Sequence, residues 1–345
     1  MGDNDKPARS PVMWDVAQLA GVSHQTVSRV LHDSPSVRPA TREKVLAAMK
    51  ELDYRPNSAA RALVTGRTRT IGVISFDTTL YGPASTLLGI ERAAHDADYF
   101  IIIVSLRSFT RESVLAALDR LRDRGVDGIV AIAPLQTAYD ALRDLPSGMP
   151  VVAAVAGPDE VPVAEVDQVA GAQLATRHLL GLGHRTVHHI AGPPDFLEAR
   201  QRASGWRTAL RDAGAPQPVM VTGDWSARSG YDLGRGLLED PEVTAVFVAN
   251  DHMALGLLRV LHERGRSIPG AVSVVGFDDI PEGAFFTPPL TTIRQDFDEI
   301  GRRSLALLLE AIDGGGRPPQ RHLVVAPELV ARQSTAPPPT TAEGP

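Results

Sequence analysis

Residues 15–63 read DVAQLAGVSHQTVSRVLHDSPSVRPATREKVLAAMKELDYRPNSAARAL, and the organisation of the chain follows from this stretch. Apolar residues fall at helical spacing from Trp14 to Ala20, Gly21 interrupts, and Ser23 is a good N-cap for a second helix. The pattern is a helix, a tight turn and a helix. In the second helix Val27, Val30 and Leu31 share one face, which leaves His24, Gln25, Ser28 and Arg29 pointing away. A third helix follows Val37, Pro39 and Thr41. Its predicted buried stripe is Val45, Leu46, Met49 and Leu52, with Arg42, Lys44 and Lys50 outside. Together they predict a small all-α head over residues 10–56.

Tyr54-Arg55-Pro56-Asn57 then leads into about two helical turns that end at Thr65-Gly66, with Asn57 as N-cap of a short helix over 57–65. Isolated helices below about 12 residues are marginal in water, so this hinge is expected to form only with a partner. Beyond Arg69 the texture changes to short apolar runs separated by helical stretches: TIGVISF, YFIIIVSL, GIVAIAP, PVVAAVAG, VHHIAG, AVFVAND and VSVVGFDD. The helices between them include 84–97, 111–124, 170–182, 199–213 and 252–264. Continuous apolar strands alternating with helices imply parallel sheets covered on both faces. The expected fold is therefore the small all-α head plus hinge helix, joined to a two-lobed α/β core over 69–333 with a cleft between the lobes. The proline-rich end, 334–345, is expected to be disordered.

The chain has 345 residues, no cysteine and a formal net charge of −6. The absence of cysteine excludes disulfide scaffolds, thiol nucleophiles and thiolate metal sites. No apolar run approaches the roughly 18 residues of a membrane span, and MGDNDKPARS lacks the apolar core of a signal peptide. A soluble cytoplasmic protein is expected, with no membrane partner and no cofactor or metal. Residues 1–70 hold eleven Lys or Arg against seven Asp or Glu, so a basic head sits on an acidic body. That asymmetry suits a polyanion at one end; a basic solvated face is the plainer alternative.

The head stretch follows, nearly without gaps, the helix-turn-helix, third helix and hinge helix of the lac-repressor-type bacterial transcription regulators, which the chain resembles over almost its whole length. In the body, EARQRASGW, GDWSARSGY, VANDHMALG and VSVVGFDD followed by TPPLTTIRQDF resemble the lac repressor that gives the family its name more closely than the family average. The resemblance implies a nucleoid-associated homodimer whose heads read double-stranded operator DNA. It also implies a core similar to periplasmic sugar-binding proteins, crossed three times by the chain, near Asp167, Thr292 and Leu323. On that reading the first lobe is 69–167 and 293–323, and the second is 168–291 and 324–333. The ending STAPPPTTAEGP carries no heptads, so no tetramer-forming helix is expected.

The resemblance places His24, Gln25 and Arg29 at base edges, with Thr26 and Ser28 available for phosphates. Arg can pair with guanine O6 and N7, and Gln with adenine N6 and N7. An ordinary polar helix face is the alternative. Asn57, Ala60 and Leu63 are the hinge positions that meet DNA, Leu63 as a minor-groove wedge or else as a small interdomain contact. Val12 replaces a hydroxyl cap, so the first helix starts without one.

In the expected cleft, Arg202, Asn250 and Asp278 offer hydrogen bonds of the kind that hold sugar hydroxyls. Trp225 and Phe297 are expected to stack on C–H faces, and the resemblance implies that His252 replaces an amide and that Leu80 and Pro83 keep an apolar floor. Trp225 alone reads more as packing than as stacking, and within GDWSARSGY it reads as stacking. Asp251 reads as the N-cap of a helix starting at His252 rather than as a ligand contact. Ile132, a residue near Val155, and Glu198 depart from the polar groups of the lac pocket.

The function implied is a transcriptional repressor released from its operator by a small sugar-like effector, pyranose-like or galactoside-like in character. The alternatives are a corepressor-loaded regulator of the same architecture, a sugar-transport protein, or a glycosidase using Glu198, Asp251, Asp278 and Asp279. GKS-type phosphate loops, HExxH and GxSxG are absent, and no catalytic residue is assigned.

Overall fold

The computed structural model describes residues 11–31, 34–54, 66–106, 108, 110–143, 148–155, 161–314 and 321–339. The chain divides into two compact units, residues 1–68 and 69–345. In the first, α1 (Met13–Ala20), α2 (His24–Leu31) and α3 (Pro39–Glu51) close on Val16, Ala17, Val27, Val30, Val45 and Ala48. Gly21 turns the chain between α1 and α2 at φ 64°, a backbone region that glycine enters without a Cβ penalty. Ser23 caps α2 through a 3.2 Å bond from the Thr26 N–H. At α1, Val12 offers no side-chain acceptor, but the Asp15 carboxylate takes the Val12 N–H at 2.7 Å.

Leu46, expected in the buried stripe of α3, is 51% exposed, and Trp14 is 60% exposed. The core stripes are Met13, Val16, Ala17 and Ala20 on α1, and Val45, Ala48, Met49 and Leu52 on α3. Trp14 and Leu46 each stand one position, about 100°, off the i, i+3, i+4, i+7 line. The hinge positions Asn57, Ala60 and Leu63 lie outside the described residues.

The second unit holds two parallel sheets. The larger has the order β11-β5-β4-β3-β1-β2, from β1 (Thr70–Phe76), β2 (Phe100–Leu106), β3 (Gly128–Ile132), β4 (Val151–Ala154), β5 (Val163–Val166) and β11 (His322–Val325). Its inner strands β1, β3 and β4 bury both faces, as continuous apolar runs require, whereas the edge strand β2, also read as such a run, has no fully buried residue. Ile71, Val73, Val130 and Ile132 point to one face, which is covered by α4 (Tyr81–Asp96) and α11 (Phe297–Asp313). Ile74, Ile129 and Ala131 point to the other, under α5 (Arg111–Asp123) and α6 (Gln136–Arg143). The helices α4 and α11 touch backbone to backbone at Gly89 and Gly301. A Cβ on Gly301 would stand 2.1 Å from the Gly89 carbonyl carbon.

The smaller sheet has the order β7-β6-β8-β9, from β6 (His188–Ala191), β7 (Val221–Thr222), β8 (Ala245–Val248) and β9 (Ser273–Val275). On one side Val246 and Val248 pack with α9 (Ala227–Leu237) and α10 (Asp251–Glu263). On the other Ala245 and Phe247 meet α7 (Gln168–Gly181) and α8 (Leu197–Asp212). A two-stranded antiparallel sheet, β10 (Thr292–Arg294) with β12 (Glu328–Val330), lies against this lobe.

The chain leaves the large sheet after Val166, with Asp167 capping α7 through the Ala170 N–H at 2.8 Å. The second and third crossings fall at 295–296 and 326–327. The expected points, Thr292 and Leu323, are inside strands, because pairing runs on through Arg294↔Glu328 and Val325↔Val166.

Disorder from Ser334 onward is also overturned, as far as Pro339. Ser334 is fully buried; its hydroxyl donates to the Val274 carbonyl at 2.6 Å and accepts the Thr291 N–H at 2.8 Å. Its carbonyl accepts the Val274 N–H at 2.8 Å, and Ala336 bonds Ser273 Oγ through its N–H at 3.0 Å. Strand β9 ends the sheet, so its free backbone groups need partners, and these residues supply them. Residues 340–345 lie outside the described residues.

Candidate functional site

On α2 the face opposite Val27 and Val30 exposes His24, Gln25 and Arg29, while Thr26 and Ser28 are half-buried. The Thr26 hydroxyl shares a 2.9 Å hydrogen bond with the Ser23 cap. Three long hydrogen-bonding side chains thus project from the first turns of one short helix, the arrangement that a major groove accepts. Arg42, expected to project outward, is instead half-buried. It donates to the Ser34 carbonyl at 3.0 Å and to the Val30 carbonyl at 3.5 Å, tying the end of α2 to α3.

In the second unit, Leu80 and Pro83 from the first lobe and Arg202, Trp225, Asn250, His252 and Asp278 from the second line one cavity of about 380 Å³. That size suits a mono- or disaccharide. Phe297 does not line it; its ring packs edge-on against Tyr81, 5.8 Å between centroids, and Tyr81 presents itself to the cavity instead. Ile132 is fully buried and Val155 is 7% exposed, both in the apolar core of the first lobe and away from the cavity lining. Sequence reasoning also passed over Tyr81, Phe196 and Asp224. The first sits between the two residues assigned as the floor, and the last immediately precedes Trp225.

Arg202 is held on α8 with its guanidinium 3.9 Å from the Phe277 ring centroid. Its Nε donates to Gln168 Oε1 at 2.8 Å and its Nη1 to the Ala249 carbonyl at 2.5 Å. Asp278 Oδ1 lies 3.7 Å from that Nη1 and accepts Gln295 Nε2 at 2.7 Å. Burial pushes the Asp278 carboxyl up to about 7, with Arg202 pulling it down and Glu198 adding to the rise.

Two lining residues hold unusual backbone: φ is 113° at Asp278 and 72° at Trp225. Such conformations are costly for residues with a Cβ and concentrate where function requires a particular aim. The Trp225 ring rests on Gly192, where a Cβ would stand 2.1 Å from the ring, and meets Phe196 edge-on at 5.5 Å. Its indole Nε1 is buried without a hydrogen-bond partner among the described residues. An orphan donor beside a cavity invites an acceptor from a ligand.

The capping assignment at α10 moves by one residue. Asn250, not Asp251, is the N-cap: its Oδ1 accepts the Met253 N–H at 2.9 Å, while its Nδ2 donates to the Trp225 carbonyl at 3.0 Å. Asn250 therefore reaches the cavity with much of its amide already engaged. Asp251 is the first helical residue, fully buried, accepting from the Thr292 hydroxyl at 2.6 Å and the Ile280 N–H at 2.9 Å. Asp279 is held by Arg294 at 2.7 Å and Arg332 at 2.6 Å. Two of the four carboxylates that a glycosidase could use are thus bound into the scaffold. No group of three or more potential metal ligands occurs among the described residues. No helix among them is long and apolar enough to cross a membrane.

Comparison with known proteins agrees with both units. The family described as "Bacterial regulatory proteins, lacI family" matches residues 12–57, and a "Periplasmic binding protein-like domain" matches residues 176–335. The lactose operon repressor of Escherichia coli (strain K12) is 35% identical over 339 residues, spanning 96% of this chain and 93% of that one. A crystal structure of the lac repressor dimer bound to operator and the anti-inducer ONPF superposes with a TM-score of 0.82 at 33% identity, covering 95% of this chain and 100% of that one. The complex of the transcriptional regulator CelR with cellobiose gives a TM-score of 0.68 at 33% identity, covering 94% and 99%. With a helix-turn-helix head, a two-lobed core and this degree of likeness over nearly its full length, the chain belongs to the lacI family of bacterial regulatory proteins.

Proposed function

We propose that this chain is a transcriptional repressor that binds operator DNA through the His24, Gln25 and Arg29 face and is released by a saccharide seated in the interlobe cavity. The observation that carries the reading is the cavity itself. A guanidinium, a carboxyl, an orphan indole donor and an apolar floor converge from two lobes on a volume of saccharide size. A ligand that touches both lobes favours one lobe arrangement over the other, which is what allows it to shift an equilibrium at the DNA. The similarity to a repressor bound to operator and to a regulator bound to cellobiose supports the same pairing of ligands.

The working form is a homodimer in the cytoplasm, associated with the nucleoid. Exposed apolar side chains on the edge strand β2, Phe100 at 73% and Ile103 at 46%, suit burial against a second copy. The full chain challenged with a random duplex library should enrich a two-fold symmetric site. Titrating saccharides into that complex, followed by fluorescence anisotropy, should release the DNA. Failure to enrich any sequence would remove the regulator reading; enrichment without release by any saccharide would remove the inducer.

A further inference from the structure

The cavity wall is rich in carboxyl groups. Glu198, Asp224 and Asp278 border it, against the single guanidinium of Arg202. Hydrogen bonds from the hydroxyls of Ser226 and Ser229 hold the Asp224 carboxyl below its usual range, so it is ionised. Arg202 is already shared among Gln168, the Ala249 carbonyl and Asp278.

Glu198, in the first turn of α8, is only 9% exposed. Its one described hydrogen bond comes from Gln168 Nε2 at 3.5 Å, and the same amide donates to Gln295 Oε1 at 2.8 Å. Burial pushes the Glu198 carboxyl up, with Arg202 opposing and Glu165 adding to the rise. A buried carboxylate without a cation or a full set of donors is costly to a fold, and substitution by an uncharged isostere removes that cost. Glu198 faces the cavity, so a bound ligand can supply the missing donors.

We propose that Glu198 is a specificity-determining residue: it accepts hydrogen bonds from the effector, and the acidic wall it completes selects an uncharged or ammonium-bearing saccharide over one carrying a carboxylate or phosphate. This rests on the saccharide reading of the cavity. An anionic sugar would meet the ionised Asp224 carboxylate and could approach Glu198 and Asp278 only while these stay protonated, with Arg202 already engaged, and juxtaposed like charges disfavour a complex strongly.

The test uses full-length wild type and Glu198→Gln, titrated with glucose, galactose, cellobiose and lactose. Glucose and galactose are each set beside the acid that keeps the pyranose ring (glucuronate and galacturonate), and glucosamine and galactosamine complete the panel. Dissociation constants are read by calorimetry. A neutral or amino saccharide should bind wild type, with its acid at least about tenfold weaker, a factor that corresponds to roughly 1.4 kcal/mol. Glu198→Gln should narrow that gap and weaken the amino sugars most. An acid that binds as tightly as its parent, or a gap unchanged in Glu198→Gln, overturns the proposal. If wild type binds no saccharide at all, the saccharide reading fails and takes this one with it.

A ligand-free measurement separates specificity from scaffolding. Because the Glu198 carboxyl is pushed up in the fold, its ionisation costs stability above its folded pKa. Glu198→Gln should therefore raise Tm at pH 8 and change it little at pH 4. A lower Tm at pH 8 would make Glu198 a structural anchor and overturn the assignment.

Discussion

The side-chain amides of Gln168 and Gln295 meet at 2.8 Å, one at the first crossing between the lobes and the other at the second. Gln168 Oε1 accepts Arg202 Nε at 2.8 Å, and Gln295 Nε2 donates to Asp278 Oδ1 at 2.7 Å. Both amides are buried. The crossings and the polar wall of the cavity are thus one hydrogen-bonded circuit, and circuits of this kind hold a single geometry while every member is satisfied. A ligand that displaces Asp278 or Arg202 reaches a crossing through one hydrogen bond.

Gln295→Leu breaks the circuit and strands a donor of Gln168 and an acceptor of Asp278 in the interior. The expected loss of stability is about 1–3 kcal/mol, the cost of unsatisfied buried polar groups. Operator affinity without saccharide should survive, while the ratio of affinities with and without saccharide moves toward one. Operator binding isotherms at zero and saturating saccharide measure that ratio. An unchanged value would take Gln295 out of the coupling path.

Asp278 ties the same circuit to pH. Its carboxyl is pushed up to about 7, mainly by burial, whereas an aspartate in an unfolded chain titrates near 4. The raised value favours the folded state while the group is protonated, so that stability is lost as pH rises from about 4 through about 7. Asp278→Asn should remove this pH dependence and raise Tm at pH 8 relative to wild type, by up to about 4 kcal/mol in stability if the whole shift is expressed. It should also abolish the response to saccharide. Thermal unfolding between pH 5 and pH 8 checks the first expectation, and a variant whose curve parallels wild type would contradict it.

The head, the two parallel sheets and about half of the cavity lining were legible in the sequence because each rests on a local pattern. Helical spacing marks Val27 and Val30, apolar runs mark the buried strands, and the motifs around Arg202, Trp225 and Asp278 are contiguous. What escaped depends on contacts made across long separations. Asn250 rather than Asp251 caps α10 because Thr292 and Ile280 engage Asp251, forty-one and twenty-nine residues away. Phe297 gives up its place at the cavity because Tyr81 stands between. Ser334 looked like the start of a disordered tail because composition carries no sign of the open edge at β9.

Two arginines of the head should part company. Arg29 is exposed on the face of α2 proposed to read DNA, so Arg29→Ala should cost roughly 1–3 kcal/mol on the cognate site and relax base preference at one position. Arg42 bonds the Ser34 and Val30 carbonyls, so Arg42→Ala should lower the stability of the head by about 1–3 kcal/mol with base preference intact. Binding profiles on a randomised operator, with thermal unfolding of each variant, distinguish the two. An unaltered preference in Arg29→Ala would remove it from the base-reading set.

Ser334 offers the sharpest contrast between composition and structure. As part of a disordered tail its hydroxyl would be dispensable, and Ser334→Ala would leave stability within about 0.5 kcal/mol of wild type, as for any surface change. In the fold that hydroxyl donates to the Val274 carbonyl and accepts the Thr291 N–H, joining β9 to the segment that leads into β10. Removing it leaves an unpaired amide and an under-satisfied carbonyl at a fully buried position. Ser334→Ala should lose about 1–3 kcal/mol in urea unfolding, read as a lower midpoint at unchanged slope. Ser334→Thr, which keeps the hydroxyl, should lose its stability through crowding rather than through an orphaned donor. Amide hydrogen exchange at Thr291 is the discriminating readout: it should accelerate in the alanine variant and stay protected in the threonine one. Equal exchange in the two would mean that the hydroxyl does not hold this edge.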